Sequence, residues 1–98
     1  MGMKKRPEYK GFDRVTDTDI REAVEVAQKV LPERLKGLRE SMELTTADVA
    51  REVGVTKEAV SSYERGDLLP SLLRLVALAA YYGVTLDDLI WDEEARGR

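Results

Sequence analysis

Cysteine and histidine are both absent from this sequence of 98 residues. Their absence excludes disulfides, thiol nucleophiles, imidazole bases and zinc sites built from Cys or His. The remaining reactive groups are carboxylates, hydroxyls and cations, and no convergent set of them is recognisable. We therefore expect a protein that is not an enzyme and that holds no metal or cofactor.

Long hydrophobic runs are absent as well. No apolar stretch approaches the roughly 18 residues of a membrane span, and the N-terminus leads into no apolar signal core. The hydrophobic content of 43% is enough for one compact core in a chain of this length. These features predict a soluble, single-domain protein with no membrane partner, and they indicate no small-molecule ligand.

The sequence also lacks an overall excess of positive charge, because its net charge is -3. The charge is unevenly distributed, since residues 1–16 contain five basic and two acidic side chains and so stand near +3. The basic side chains are Lys4, Lys5, Arg6, Lys10 and Arg14. This segment is interpreted either as a solvated, disordered terminus or as a flexible arm that follows a DNA groove.

Helical periodicity accounts for most of the remaining sequence. Apolar residues recur at helical spacing from Ile20 to Leu31, and Pro32 is expected to end or kink that helix. Polar N-caps and glycine stops mark the later helices. Six helices are predicted, near residues 17–31, 33–43, 46–53, 57–65, 71–82 and 86–91. The predicted organisation is a flexible basic arm (1–16), an extra amphipathic helix (17–32), a helical domain (33–91) and a flexible tail (92–98).

Residues 46–65 have the pattern of a helix-turn-helix unit. Two short helices that cross at a steep angle need a small residue at the crossing and a glycine in the turn, and Ala50 and Gly54 fit these needs. The contact between the helices must also be apolar. Seven positions meet these constraints, namely Val49, Ala50, Val53, Gly54, Val55, Val60 and Tyr63.

This stretch resembles the Cro and phage-repressor (XRE-like, lambda-repressor-like) type of helix-turn-helix family. The resemblance lies in LKGLRESMELTTADVAREVGVTKEAVSSYERG at residues 35–66, and PSL at 70–72 and YGVTLDDL at 82–89 extend it. It implies an all-α fold, a five-helix lambda-repressor-like DNA-binding domain, which here carries an additional N-terminal helix. It also implies that the second helix of the unit, residues 57–65, enters the major groove of double-stranded DNA.

The resemblance further implies a set of DNA contacts. Lys57 would donate to guanine, Ala59 would touch a thymine methyl, and Glu58 would accept from cytosine N4 or, alternatively, stabilise its own helix N-terminus. Arg39 would contact a phosphate or pair with Glu40 or Glu64. The full predicted set is Thr46, Lys57, Glu58, Ala59, Ser61 and Ser62, with Arg39 and Arg65 for phosphates.

The predicted helix over residues 71–82 is apolar almost all the way round, which indicates that it is covered on two sides. One side is predicted to belong to the core, and its residues are Leu72, Leu75, Val76, Ala79 and Tyr82. The other is a predicted dimer or docking face, made of Leu68, Leu69, Leu73, Ala77 and Ala80. The extra N-terminal helix of the same chain is the favoured occupant of this second face, and a second subunit is the alternative.

The function expected from these features is sequence-specific transcriptional regulation by a homodimeric repressor that binds a pseudo-palindromic operator. Such a protein, encoded by a bacterium or a phage, is expected in the cytoplasm, associated with the nucleoid. The alternative is a protein-protein adaptor or antitoxin-like module that keeps the fold but binds DNA weakly or not at all. The acidic total and the broad apolar face favour this alternative.

Overall fold

The computed structural model describes residues 17–90, which form five helices and no strand. The helices are α1 (Asp17–Ser41), α2 (Thr46–Val53), α3 (Lys57–Arg65), α4 (Leu72–Tyr82) and α5 (Leu86–Ile90). The predicted basic arm and the predicted C-terminal tail lie outside the described residues. None of the helices within residues 17–90 is long and apolar enough to cross a membrane.

The first helix runs through Pro32 without a break, so the prediction of separate helices over 17–31 and 33–43 is wrong. Proline removes one backbone hydrogen bond from a helix interior, which deprives the Gln28 carbonyl of its usual donor. Leu31, Pro32 and Leu35 are all buried. Their burial outweighs the lost hydrogen bond, and the extra helix is therefore the first half of α1. The helix ends at Ser41, and Glu43 follows in the left-handed region with φ 58°.

Side-chain caps set the ends of the later helices, as the sequence predicts. Thr45 and Asp48 form a reciprocal capping box at the start of α2, with N–H to oxygen distances of 2.9 and 3.0 Å. Thr56 and Ser71 accept backbone hydrogen bonds at the starts of α3 and α4. Polar caps therefore predicted the bounds of the short helices to within one residue.

The core lies where α1 packs against α3 and α5, and where α2 packs against α3 and α4. Its members come from all five helices and are apolar throughout. They are Leu31, Leu35, Val49, Ala50, Val53, Val60, Tyr63, Leu78, Ala79, Tyr82 and Leu89.

The orientation of α4 differs from the prediction. Leu72 and Val76 were expected in the core but are 68% and 46% exposed, whereas Leu78 is 1% exposed. Ala77, expected on the outer side, is half-buried against the core. The reason is that a helix apolar on nearly every side carries no periodic signal to tell the inner from the outer face.

Several apolar residues of α4 and of the loop before it remain on the outside, and we name them together the α4 outer face. It consists of Leu68, Leu69, Leu72, Leu73, Val76 and Ala80, all of them exposed. The predicted intrachain occupant does not cover it within the described residues, because Leu73 is 79% exposed. Ile20 and Val24, on the first half of α1, are also 53% and 48% exposed. The predicted docking within the chain is therefore wrong.

Candidate nucleic-acid interface

A tight turn of three residues joins α2 to α3. Gly54 takes φ 78°, in the left-handed region that favours glycine. The N–H groups of Gly54 and Val55 both donate to the Ala50 carbonyl, at 2.9 and 3.0 Å. Ala50 itself is 5% exposed, so its small side chain sits inside the unit. These contacts fix the direction in which α3 leaves α2.

The inner sides of α2 and α3 form the apolar contact that the sequence predicts. Val49, Val53, Val60 and Tyr63 are buried, and Val55 is packed against them. These residues occupy one side of each helix, because the spacings from Val49 to Val53 and from Val60 to Tyr63 are one helical turn. The opposite side of α3 is consequently left facing outward.

A shallow concavity of about 340 Å³ lies between the outward side of α3 and the start of α2. Six residues line it, and all six belong to the contact set predicted from the sequence. They are Thr46, Lys57, Glu58, Ser61, Ser62 and Arg65. The fold thus brings the start of α2 and three turns of α3 together on one surface.

The residues that line this concavity are all polar or charged. It presents two cations, one carboxylate and three hydroxyls, and it has no apolar side chain among its lining residues. Lys57 and Glu58 are exposed in the first turn of α3, where backbone N–H groups point out of the helix. Such a surface can donate and accept hydrogen bonds, and it offers little to an apolar ligand.

Arg65 lies at one edge of the concavity and is held only loosely. Its guanidinium donates to Asp67 at 2.8 Å and to the Ser62 hydroxyl at 3.2 Å. The side chains of Arg65 and Asp67 are 60% and 62% exposed. An ion pair this exposed contributes less than about 1 kcal/mol, so the guanidinium can exchange Asp67 for another anion at little cost.

Two residues of the predicted contact set lie elsewhere. Ala59 is half-buried against the core. Arg39 forms a two-pronged ion pair with Glu64, at 2.7 and 2.9 Å, and also donates to the Leu44 carbonyl at 2.9 Å. The side chains of this pair are only 15% and 7% exposed. Arg39 therefore ties α1 to the end of α3, which is the alternative role that the sequence had left open for it.

The charges of this pair affect the groups around them. The hydrogen bonds with Glu64 raise the pKa of Arg39 above its ordinary value. Burial raises the pKa of the neighbouring Tyr82 to about 12, and the Glu64 carboxylate adds to that effect. The pair between Arg39 and Glu64 is hydrogen-bonded, and Tyr82 lies near enough to feel the charges of both residues.

Comparison with known proteins gives matches over the same part of the chain. A helix-turn-helix family model matches residues 35–89. The HTH-type transcriptional regulator YgzD of Bacillus subtilis is 31% identical over 61 residues, which are 62% of this chain and 92% of YgzD. The transcriptional repressor RstR of the cryptic phage CTXphi of Vibrio cholerae is 34% identical over 61 residues, which are 62% of this chain and 55% of RstR.

Among solved structures, the c2 repressor of phage P22 in complex with a synthetic operator has a similar fold. Its TM-score is 0.61 and its sequence identity is 28%, and the likeness covers 62% of this chain and 92% of that one. The region matched by the family model contains the concavity, and it begins after the first half of α1.

Proposed function

Because the chain belongs to the helix-turn-helix family of the Cro and phage-repressor type, we propose that it binds DNA sequence-specifically as a homodimer and represses transcription. The observation that carries this proposal is the polar concavity formed by α2 and α3. The likeness to the P22 c2 repressor, which was crystallised with an operator, supports it.

The recognition step depends on the outward side of α3. Lys57 donates to guanine O6 and N7, Glu58 accepts from cytosine N4, and Ser62 bonds to either a donor or an acceptor on a base edge. Lys57 and Glu58 stand in the first turn of α3 and Ser62 in the next, so together they can read neighbouring base pairs. Glu58 confines binding to sites that offer an amino group, because an unpaired carboxylate near phosphates is repelled.

The phosphate contacts come from the edges of the concavity. Thr46 is too short to reach a base edge but stands in the first turn of α2, where the helix dipole favours an anion. Arg65 leaves Asp67 and takes a phosphate in its place. Arg39 has a structural role in this proposal and makes no phosphate contact, because its guanidinium already donates to Glu64 and to the Leu44 carbonyl.

Dimerisation follows from the small number of these contacts. One domain of this type reaches about four or five base pairs, and the net charge of -3 gives no general attraction to DNA. Two copies double both the sequence read and the phosphate contacts. The operator is then a pseudo-palindrome with half-sites about 34 Å apart. The α4 outer face supplies the apolar surface for the contact between copies.

Repression is the simplest outcome for a domain that binds an operator and carries no other activity within residues 17–90. The described part of the chain is filled by the helical domain, and a bound dimer occludes the promoter that overlaps its operator. The likeness to RstR, which is a repressor, supports this direction of regulation.

Selection from a pool of random DNA duplexes tests the proposal. The purified protein is expected to enrich a pseudo-palindromic motif. Lys57→Ala should relax the preference at one position of each half-site and cost about 1 to 3 kcal/mol for the preferred base. Arg65→Ala should instead weaken all sequences alike and flatten the dependence of binding on salt concentration.

Lys36→Ala is the matched control, because Lys36 is an exposed lysine on α1 and does not line the concavity. It should leave the selected motif unchanged. Failure to enrich any motif would overturn the proposal.

The exposed leucines favour one alternative, a protein-protein adaptor on the same fold. The largest apolar patch on a monomer is often a binding surface, and the α4 outer face includes four leucines that are 49% to 79% exposed. An adaptor would enrich no DNA motif but would still bind a partner through this face. The selection from random DNA duplexes therefore separates the two functions.

A further inference from the structure

Two apolar surfaces of the described chain have no partner within it. One is the α4 outer face. The other is on residues 17–30, the first half of α1, which we name the α1 extension. Ile20 and Val24 are one helical turn apart on the same side of this extension, and both are about half exposed.

The α1 extension is poorly covered by its own chain. No residue from 19 to 30 is buried, and Leu31 is the first buried residue after them. Because α1 continues through Pro32, the extension cannot fold back onto the domain as a separate helix would. The main packing partners of α1 are α3 and α5, whereas those of α4 are α2 and α5.

The sizes of the two surfaces indicate what covers them. The α4 outer face offers six apolar side chains, with Leu72 and Leu73 the most exposed at 68% and 79%. A stable interface engages roughly 20 to 30 residues a side, so a contact between two α4 outer faces alone would be small. Ile20 and Val24, at 53% and 48% exposed, enlarge the apolar surface of each copy, and the exposed side chains beside them on the α1 extension lengthen the contact.

Charge disfavours one of the competing pairings. Residues 17–30 contain four acidic and two basic side chains, so the α1 extension carries a net charge of -2. Two α1 extensions packed against each other would therefore repel. The only charged side chain of α4 is Arg74, whose guanidinium donates to the Val53 carbonyl at 3.3 Å, so the six side chains of the α4 outer face set no like charge against the α1 extension.

We propose that the α1 extension of one copy packs on the α4 outer face of a second copy, and that the exchange is reciprocal. Ile20 and Val24 of each chain then lie against the leucines of the other. This inference specifies the interface of the homodimer proposed above and rests on that proposal. It assigns a role to the part of α1 that lies outside the region matched by the family model.

Disulfide trapping tests the exchange directly, because the chain contains no cysteine of its own. Val24→Cys and Leu73→Cys chains are made separately, mixed in equal amounts under reducing conditions, and oxidised. Both positions are exposed, so neither change should unfold the protein. The mixture is expected to give a disulfide-linked dimer that neither variant gives alone. Leu69→Cys and Val76→Cys repeat the test at neighbouring positions, in case the Cα atoms at the first pair lie beyond disulfide reach.

The possible results distinguish this interface from the others. A linked dimer from a leucine variant alone would indicate a contact between two α4 outer faces, and one from Val24→Cys alone a contact between two α1 extensions. A chain with both Val24→Cys and Leu73→Cys that closes a disulfide within itself would indicate intrachain docking. Each of these results overturns the exchange.

Sedimentation of the unmodified full chain separates the two proposals. If it is dimeric while no mixed pair cross-links, the exchange is wrong and the homodimer stands. If it stays monomeric at all concentrations, the homodimer fails as well. With the exchange present, Ile20→Gln combined with Val24→Gln should weaken dimerisation about tenfold or more. Glu22→Gln is the matched control on the opposite side of the same helix, and it should have little effect. Equal dimer affinities in the two variants would contradict the proposal.

Discussion

Arg39 connects α1 to the end of α3 through a charged contact. Its guanidinium reaches Glu64 with two hydrogen bonds, although 25 positions separate the two residues in the sequence. Both side chains are nearly covered, so each charge depends on the other for the interactions that water would otherwise provide. The pair therefore fixes the end of α3 against α1 and is costly to break on one side only.

Arg39→Ala is expected to lower the free energy of unfolding by about 2 to 4 kcal/mol, because it leaves the Glu64 carboxylate covered and without its partner. Urea unfolding followed by circular dichroism measures this loss. The control is Arg51→Ala, which breaks the exposed pair with Asp48 and should cost less than about 1 kcal/mol. Similar losses in the two variants would mean that Arg39 and Glu64 are not a structural pair.

Because Tyr82 is buried, we expect the protein to lose stability at alkaline pH. The folded-state pKa of Tyr82 is raised from 10 to about 12, chiefly by burial. Unfolded tyrosine ionises near pH 10, so between about pH 10 and 12 the unfolded state releases a proton that the folded state retains. The contribution of Tyr82 to stability is fully present below that window and is lost across it. The urea midpoint should therefore fall less between pH 9 and pH 11 in Tyr82→Phe than in the unmodified protein. An equal fall in both would contradict this assignment.

At the scale of helices, signals between neighbouring residues predicted the helix bounds well, with one exception. The packing of one helix on another could not be predicted from the sequence. The capping box at Thr45 and the glycine at position 54 involve neighbours in the sequence, and they predicted the bounds of α2. Pro32 is also a local signal, and it misled the prediction. Its cost of a few kcal/mol is offset by the burial of Leu31 and Leu35, which depends on α3 and α5. The inner side of α4 was unpredictable for the same reason.

The capping box of α2 has a measurable effect. Thr45→Ala should lower the free energy of unfolding by about 1 kcal/mol, because it removes the acceptor for the Asp48 N–H. Thr45→Ser is the control and should retain most of the stability. Thermal unfolding at neutral pH compares the three proteins, and equal stabilities of the alanine and serine variants would contradict the role of the hydroxyl.

Asp48 makes the stability contributed by the same capping box depend on pH in the acidic range. Hydrogen bonds from Thr45 lower the pKa of Asp48 below its ordinary value of 3.8. The stabilising contribution is present above pH 3.8 and is lost as the pH falls through the lower folded-state pKa. Asp48→Asn should remove this part of the acid dependence, as measured by unfolding midpoints over an acidic pH series. If the unfolding midpoints of this variant depend on acidic pH as those of the unmodified protein do, the role assigned to Asp48 is wrong.

At the scale of the whole molecule, the candidate interface was more predictable than the surface around it. Lys57, Ser61 and Arg65 share one side of α3 because of helical spacing alone, so their grouping was readable from the sequence. The burial of Arg39 and Ala59 depends on how far α1 and the core stand from α3. The spacing of residue types along the chain does not predict that distance. The same limitation applies to the α1 extension, whose direction is set by a helix that was expected to break.

The α4 outer face should be needed for assembly and not for folding. Leu72→Glu is expected to leave the free energy of unfolding of the domain within about 0.5 kcal/mol of its original value, since Leu72 is 68% exposed. It should nevertheless abolish the dimer and weaken operator binding. Leu78→Ala, at a position that is 1% exposed, should show the opposite pattern, with a loss of about 2 to 5 kcal/mol in stability. Sedimentation and urea unfolding of both variants check this, and a dimeric Leu72→Glu protein would contradict it.

The division of α3 into two sides has an evolutionary consequence. Val60 and Tyr63 hold the helix in the core, while Lys57, Ser61 and Ser62 point to the concavity and carry little of the packing. If the chain binds DNA as proposed, a mutation at one of the outward positions changes which operator is preferred without endangering the fold. A lineage that carries this chain can drift from one target site to another by single substitutions. Closely related copies within one genome can likewise diverge until they no longer control each other's genes.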